Sequence, residues 1–499
     1  MKRDWADGYV SDITYSHGYF HELAPAYLRY HLLVNGRACP SDGGRYTYCE
    51  LGFGQGVSAN IHAAANPRGE FWGTDFNPDH VLNARSLAHE GGLQAHWHGD
   101  SFEDFLDAST PHFDFIVLHG VWSWVSPAAQ HALVEIMRRK LKPGGLVYIS
   151  YNVLPGWNAE KPLRDLLFMH AEHEGAPDAP TPERIANALQ FARALRRHGC
   201  AFFTDNARAS KALDDMLRQE PGSLAHEYFN SSWWLTYFAD VERTLQAASL
   251  RFACSVHMSD VSGEVRERLA GSGLEQLASG MRMRETAADF VLGRRFRRDI
   301  FMRGSVMLTP SQRWAMLDEV AFVPLRPAAE VGMFLTTPYG QMAMDESRLR
   351  PLLQRLGEAD GAITLAELRG IPELEGWSPE DLVLHLSRLV ARRDIAPVFA
   401  DDAACATASA ANEMNMAIAT RALHGDSLRY LASPVAGAGV DAGRHDRLFW
   451  LAWHEGARTA PEIARAVAPW CGETAEALER RAEPFITHRA PVWRRLGLT

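Results

Sequence analysis

A glycine at every second position between two apolar strands constrains this chain more than any other feature. The run is Tyr48-Cys49-Glu50-Leu51-Gly52-Phe53-Gly54-Gln55-Gly56-Val57-Ser58, and Phe71-Trp72-Gly73-Thr74-Asp75 follows it. The pattern predicts a strand, a turn, a helix and a second strand that ends in an acidic residue. Glycine at 52, 54 and 56 permits positive φ and lets backbone approach a ligand more closely than any Cβ would allow. The helix then directs unpaired N–H groups at whatever occupies the turn. Asp75, closing the second strand, can accept two hydrogen bonds from a ribose diol. The combination predicts a nucleoside cofactor.

The glycine spacing narrows the choice. A dinucleotide site uses G-x-G-x-x-G, whereas this chain has G-x-G-x-G with Glu50 two residues before the first glycine. A carboxylate there repels a pyrophosphate and suits the cationic amino group of a methionine moiety. The run resembles motif I of the class I S-adenosylmethionine (SAM) methyltransferases. That resemblance implies cofactor contacts from Glu50, Gly52, Gly54, Gly56, Asp75 and the adjoining Phe76.

Later landmarks keep the order of that fold. A helix predicted over 78–91 leads to Ala95-His96-Trp97-His98-Gly99-Asp100-Ser101-Phe102. In the class I family an aspartate at this strand end receives the adenine amino group, and a neighbouring apolar residue packs the ring. The resemblance assigns those roles to Asp100 and Phe102, with Ser101 between them in the cofactor shell. Phe113-Asp114-Phe115-Ile116-Val117-Leu118-His119-Gly120 reads as a buried strand ended by turn residues. A helix over 128–141 precedes Lys142-Pro143-Gly144-Gly145 and a fifth strand, and this Leu-Lys-Pro-Gly-Gly turn is also typical of the family. With strands resuming over 250–256 and 296–303, the expected fold is α/β, a seven-stranded Rossmann-like sheet with ligands at the carboxyl strand ends.

A narrower resemblance rests on further segments. These are Tyr9-Val10-Ser11-Asp12-Ile13-Thr14-Tyr15-Ser16-His17-Gly18, His119-Gly120-Val121-Trp122-Ser123-Trp124-Val125 and Tyr151-Asn152-Val153-Leu154-Pro155-Gly156-Trp157. His226-Glu227-Tyr228-Phe229-Asn230 and Arg295-Phe296-Arg297-Arg298-Asp299-Ile300-Phe301 stand farther on. Together they resemble the bacterial methyltransferases that carry a methyltransferase regulatory domain, a group that includes rickettsial enzymes acting on lysines of outer-membrane proteins. The resemblance covers residues 5–305 well and the remainder loosely. It implies SAM as cofactor, S-adenosylhomocysteine as product, no metal, and an N-terminal lid over the cofactor from Tyr15 and His17.

Breaks in pattern divide the chain. Residues 1–305 are expected to form the methyltransferase domain, with a helical lead-in over 1–45, a helical insertion over about 160–222 and a regulatory region over 220–305. A mostly α, winged-helix-like middle module is expected over 309–399. A small, polar linker follows over 400–411 (ADDAACATASAA), and then a helical C-terminal module over 412–499. The basic second helix of a DNA-reading unit is missing from the middle module, which points to protein contact or scaffolding.

Composition sets the partner classes. A net charge of −10 argues against general affinity for nucleic acid, which wants clustered Lys and Arg. The one basic run, Arg294-Arg295-Phe296-Arg297-Arg298, reads as a solvated strand edge or as a contact to an acidic substrate. No stretch approaches the about 18 uninterrupted apolar residues of a membrane span, and the first residues lack the apolar core of a signal peptide. Cysteines at 39, 49, 200, 254, 405 and 471 form no C-x-x-C pair, so no zinc site or disulfide framework is indicated and a reduced cytoplasm is expected. A protein substrate and, as a homodimer, a second copy of the chain are the macromolecular partners left open.

For methyl transfer, the acceptor must be held in line with the methyl group at about 3–3.5 Å with water excluded. The loops after the fourth and fifth strands should line that space. Tyr151, Asn152 and His119 are the catalytic candidates there, His119 either as proton acceptor or as a hydrogen-bonded wall. Trp122 and Trp124 either shape an acceptor channel or belong to the core, and Trp157 is a further channel residue. No Asn/Asp-Pro-Pro-Tyr follows the fourth strand, which disfavours methylation of bases and side-chain amides. The leading expectation is a protein lysine methyltransferase; the alternatives are a small-molecule or saccharide methyltransferase and a non-catalytic SAM-binding regulator.

Overall fold

A helix whose faces are nearly all apolar, α1 (Pro25–Val34), precedes the first strand, with proline suited to its first turn. Strands and helices then alternate as β1 (Tyr46–Leu51), α2 (Val57–Ala65), β2 (Gly69–Thr74), α3 (Pro78–Glu90), β3 (His96–His98), α4 (Phe102–Asp107), β4 (Phe113–Leu118), α5 (Pro127–Lys140) and β5 (Leu141–Asn152). Two later strands, β6 (Arg251–Ser255) and β7 (Phe296–Met302), join the same sheet. The computed structural model describes residues 13, 17–40, 44–175, 179–256, 263–337, 340–400 and 408–498. Its main sheet has the order β3-β2-β1-β4-β5-β7-β6. The pairs are parallel except at β7, which runs antiparallel to both neighbours. This is the expected seven-stranded Rossmann-like sheet, and the reversal of strand order between β1 and β4 opens a crevice at the carboxyl ends.

Two details of the sheet differ from the sequence reading. The Leu-Lys-Pro-Gly-Gly segment is no separate turn but the start of β5, absorbed by a bulge. Phe113 pairs with Leu141 and Phe115 already with Leu146. Gly144, at φ +79°, donates to the Arg303 carbonyl. The basic run is no solvated edge either, because β7 lies between β5 and β6. Arg297 is fully buried, held by Asp289 (2.8 Å), Asp299 (2.7 Å) and Glu285 (2.7 Å). A guanidinium can stay charged in such a place only because acceptors surround its fork.

The helical insertion comprises α6 (Lys161–His173), α7 (Thr181–Arg197), α8 (Ala201–Asp205), α9 (Ala207–Met216) and α10 (Pro221–Tyr228). It has a core of its own, with Leu163, Leu167, Ile185, Leu189 and Leu213. In the middle region β8 (Ala321–Pro324), β11 (Ile363–Thr364) and β12 (Ile395–Val398) form a three-stranded antiparallel sheet, while β9 (Phe334–Thr337) and β10 (Gly340–Ala343) form a hairpin. α1 is buried against this region: Tyr30 bonds Ser387 (2.9 Å), and Arg29 lies over the Phe399 ring.

A helix at Ala408–Arg421 begins inside the stretch read as a linker, whose residues 401–407 lie outside the described ones. The C-terminal region also carries a hairpin, β13 (Tyr430–Ser433) and β14 (Ala438–Asp441), where helices alone were expected. That hairpin is tied to the nucleotide-fold half. Asn66 donates to the Gly437 carbonyl (2.9 Å), and Gly439 N–H donates to the Tyr19 hydroxyl (2.5 Å). No helix among the described residues is long and apolar enough to cross a membrane.

Candidate active site

The turn after β1 takes the left-handed backbone that its glycines allow, with φ of +76°, +55° and +72° at Gly52, Gly54 and Gly56. The three glycines serve different ends. A Cβ on Gly52 would stand 2.6 Å from Val121 Cγ2, so the turn can lie against the loop after β4 only without a side chain. A Cβ on Gly56 would stand 2.4 Å from Ala84 Cβ, so this glycine lets α2 and α3 approach. The same junction is fixed by Asn60, which donates to the Gly56 and Ala84 carbonyls and accepts from Trp97 Nε1.

Asp75 organises the turn from the end of β2. Its Oδ2 accepts from Gly54 N–H (2.8 Å), and its Oδ1 accepts from Asn77 N–H (3.0 Å) and contacts His80 Nδ1 at 3.1 Å. The carboxylate is buried, lines the cavity and keeps lone-pair capacity on Oδ2. One strand away, Glu50 is buried, and its Oε2 has no hydrogen-bond partner among the described residues. Burial and then the nearby charge of Asp75 push its carboxyl pKa up to about 8. An orphaned buried carboxyl at a cavity wall fits a cationic ligand group.

These residues face one cavity of about 450 Å³ at the carboxyl ends of the strands, within the size range of small-molecule sites. Because the sheet order places β2 and β1 on one side and β4, β5 and β7 on the other, the cavity has two ends. Glu50, Gly52, Gly54, Asp75, Phe76 and His80 belong to the first. His119, Asn152, Trp157, Arg295 and Phe296 belong to the second, joined by His226 and Glu227 from α10. Phe102, Trp124 and Val121 also line it.

His119 is stacked on Phe20 (ring centroids 4.1 Å apart), and its Nδ1 is 2.9 Å from the Tyr148 hydroxyl. Burial lowers its pKa to about 4. The ring is therefore neutral at physiological pH, a wall with one hydrogen bond committed. Asn152 is held through its backbone N–H by Ser123 Oγ (2.8 Å), and its side-chain amide has no hydrogen-bond partner among the described residues. Trp157 donates to the Arg295 carbonyl (2.9 Å), with the Arg295 guanidinium 3.8 Å above its ring. Arg295 is in turn paired with Glu160 at 2.5 Å.

Several expected residues are not brought into this cavity. Tyr151 is fully buried on the opposite face of β5, where its hydroxyl donates to Asp299 Oδ2 (2.6 Å). Strand alternation makes this necessary, since Tyr148, Ser150 and Asn152 share one face and Tyr151 must take the other. Trp122 sits in the hydrophobic cluster behind the sheet, although Trp124 reaches the cavity wall. Asp100 gives its carboxylate to His98 Nδ1 (3.1 Å), and Ser101 caps α4 by accepting from Asp104 N–H (3.1 Å). His17 is half-buried and is not among the residues lining the cavity, and Tyr15 lies outside the described residues.

Sequence reasoning missed Phe20, His80, His226, Glu227, Arg295 and Phe296 as wall residues. The His226 and Arg295 segments carried a signal through their family resemblance, but only folding brings α10 and the start of β7 beside the ends of β4 and β5. Phe20 had no local signal. It is fixed by tertiary bonds, with its N–H donating to Ser58 Oγ (2.8 Å) and its carbonyl 3.2 Å from His62 Nε2.

The comparisons with known proteins agree with this geometry. A methyltransferase domain matches residues 49–145, and the predicted methyltransferase regulatory domain matches residues 220–303. An uncharacterized protein of Synechocystis is 32% identical over 510 aligned positions, covering 99% of this chain and 100% of its own. An uncharacterized protein of Rickettsia prowazekii is 27% identical over 255 positions, covering 50% of this chain and 44% of its own. The solved structure of PKMT2 from Rickettsia typhi in complex with AdoHcy is similar in fold, with a TM-score of 0.69 and 17% identity over 97% of this chain and 99% of that one. The chain belongs to the class I SAM-dependent methyltransferases that carry a methyltransferase regulatory domain.

Proposed function

We propose that this methyltransferase acts on lysine amines of a protein acceptor. The observation that carries the reading is a single cavity whose two ends differ in chemistry. At one end Glu50 suits the cationic amino group of the cofactor, Asp75 the ribose diol, and Phe76 and Phe102 the purine ring. The Gly52 and Gly54 backbone leaves room for close approach. When bound, SAM supplies an electrophilic methyl group on a sulfonium.

At the other end the chain's residues receive the acceptor. Trp124, Trp157 and Phe296 make an aromatic wall that excludes water and lowers the pKa of an entering amine. The free amide of Asn152 can orient the amine by accepting one of its N–H groups. Glu227, whose carboxyl pKa is raised by desolvation, stands at the same end to take the ammonium proton. His119, neutral and bonded to Tyr148, shapes the wall rather than taking that proton. The fold likeness to PKMT2 over nearly the whole chain supports the same reading.

The test is transfer of labelled methyl from SAM into fractionated lysate of the source organism. Label should enter protein. Label confined to the small-molecule fraction would favour a small acceptor, and SAM binding without transfer would favour a regulator.

A further inference from the structure

A second cavity, of about 480 Å³, adjoins the first and shares Arg295 and Phe296 with it as a common wall. Its far side is α9, which presents Arg208 and Lys211 one helical turn apart, both exposed. The other charges around it are already matched. Glu160 holds Arg295 and Asp289 holds Arg294 (3.3 Å), while Asp215 is bonded to Arg218. Arg208 and Lys211 form no ion pair among the described residues. The groove thus offers two unmatched positive charges on a chain whose net charge is −10.

We infer that this groove binds acidic residues flanking the acceptor lysine. The inference rests on the protein-lysine reading above. A polypeptide whose lysine enters the first cavity past Phe296 must lay its neighbouring residues across the shared wall, and carboxylates there meet Arg208 and Lys211. Exposed cations of this kind set partner preference and encounter rate more than raw affinity.

Two series of lysine peptides test it, one with Asp or Glu flanking the lysine and one with the matching Asn or Gln. For the wild-type protein, kcat/KM should favour the acidic series by roughly three- to tenfold, the value of one or two exposed ion pairs. Added salt should shrink that preference. In the R208E/K211E double variant the preference should vanish or invert, with AdoHcy affinity and melting temperature reporting that the variant is folded. Equal rates on both series, or a preference retained by the variant, would overturn the groove assignment while leaving the lysine reading intact. If neither series accepts methyl, the lysine reading fails and the groove assignment falls with it.

Discussion

Glu50 and Asp75 stand at the ends of adjacent strands, and the charge of Asp75 adds to burial in raising the Glu50 carboxyl pKa to about 8. Ligand-free protein therefore keeps a proton on Glu50 that the unfolded chain releases near the ordinary value of 4.5. Between these values the native state binds more protons than the unfolded one, so this group's contribution to stability falls as pH rises and levels off above about 8. E50Q should remove that component. Melting curves of both proteins from pH 5 to 9 should diverge upward with pH in favour of the variant; parallel curves would contradict the assignment.

The same carboxyl links cofactor binding to pH. A cationic amino group seated against Glu50 requires the carboxylate, so AdoHcy binding below about pH 8 should release a proton and tighten as pH rises. Calorimetry in buffers of different ionisation enthalpy measures that proton. For E50Q the release should disappear and the affinity should fall; unaltered proton release would place the amino group elsewhere.

Asp75 should matter through the ribose. D75N keeps the side chain's shape but replaces a charged acceptor with an amide. Affinity for AdoHcy should drop by about 1.5–3 kcal/mol, the value of a charge-assisted hydrogen bond, or roughly ten- to hundredfold. An unchanged dissociation constant would remove the ribose role.

Tyr151 and Asn152 are neighbours in sequence and opposites in space. Y151F removes a buried donor to Asp299 and should cost about 1–3 kcal/mol of stability with kcat preserved. N152A should instead lower kcat by about tenfold, roughly 1.4 kcal/mol of transition-state stabilisation, with AdoHcy affinity preserved. A kcat loss in Y151F at normal stability would contradict the facing derived from the strand.

How much of this was legible in the sequence depends on how local each feature is. The glycine turn, Glu50 and Asp75 could be read directly, because steric demand and charge placement are written within a few residues of one strand end. The seven strands could be read for the same reason, from short apolar runs between turn residues. Tyr151 faces away from the cavity because the period-two alternation of β5, and not polarity near a strand end, fixes its direction. Arg297 looked solvated because charge marks surface on average; only the fold gathers Asp289, Asp299 and Glu285 around it. Phe20 and Glu227 come from distant segments, so no local pattern could bring them to the cavity.

The most direct test of the central claim is the identity of the methylated atom. Protein labelled by this enzyme with methyl-labelled SAM would be hydrolysed to free amino acids and separated. Label is expected in methylated lysine, entering about tenfold more slowly when Asn152 is replaced by alanine. Label recovered in any other amino acid, with none in lysine, would contradict it.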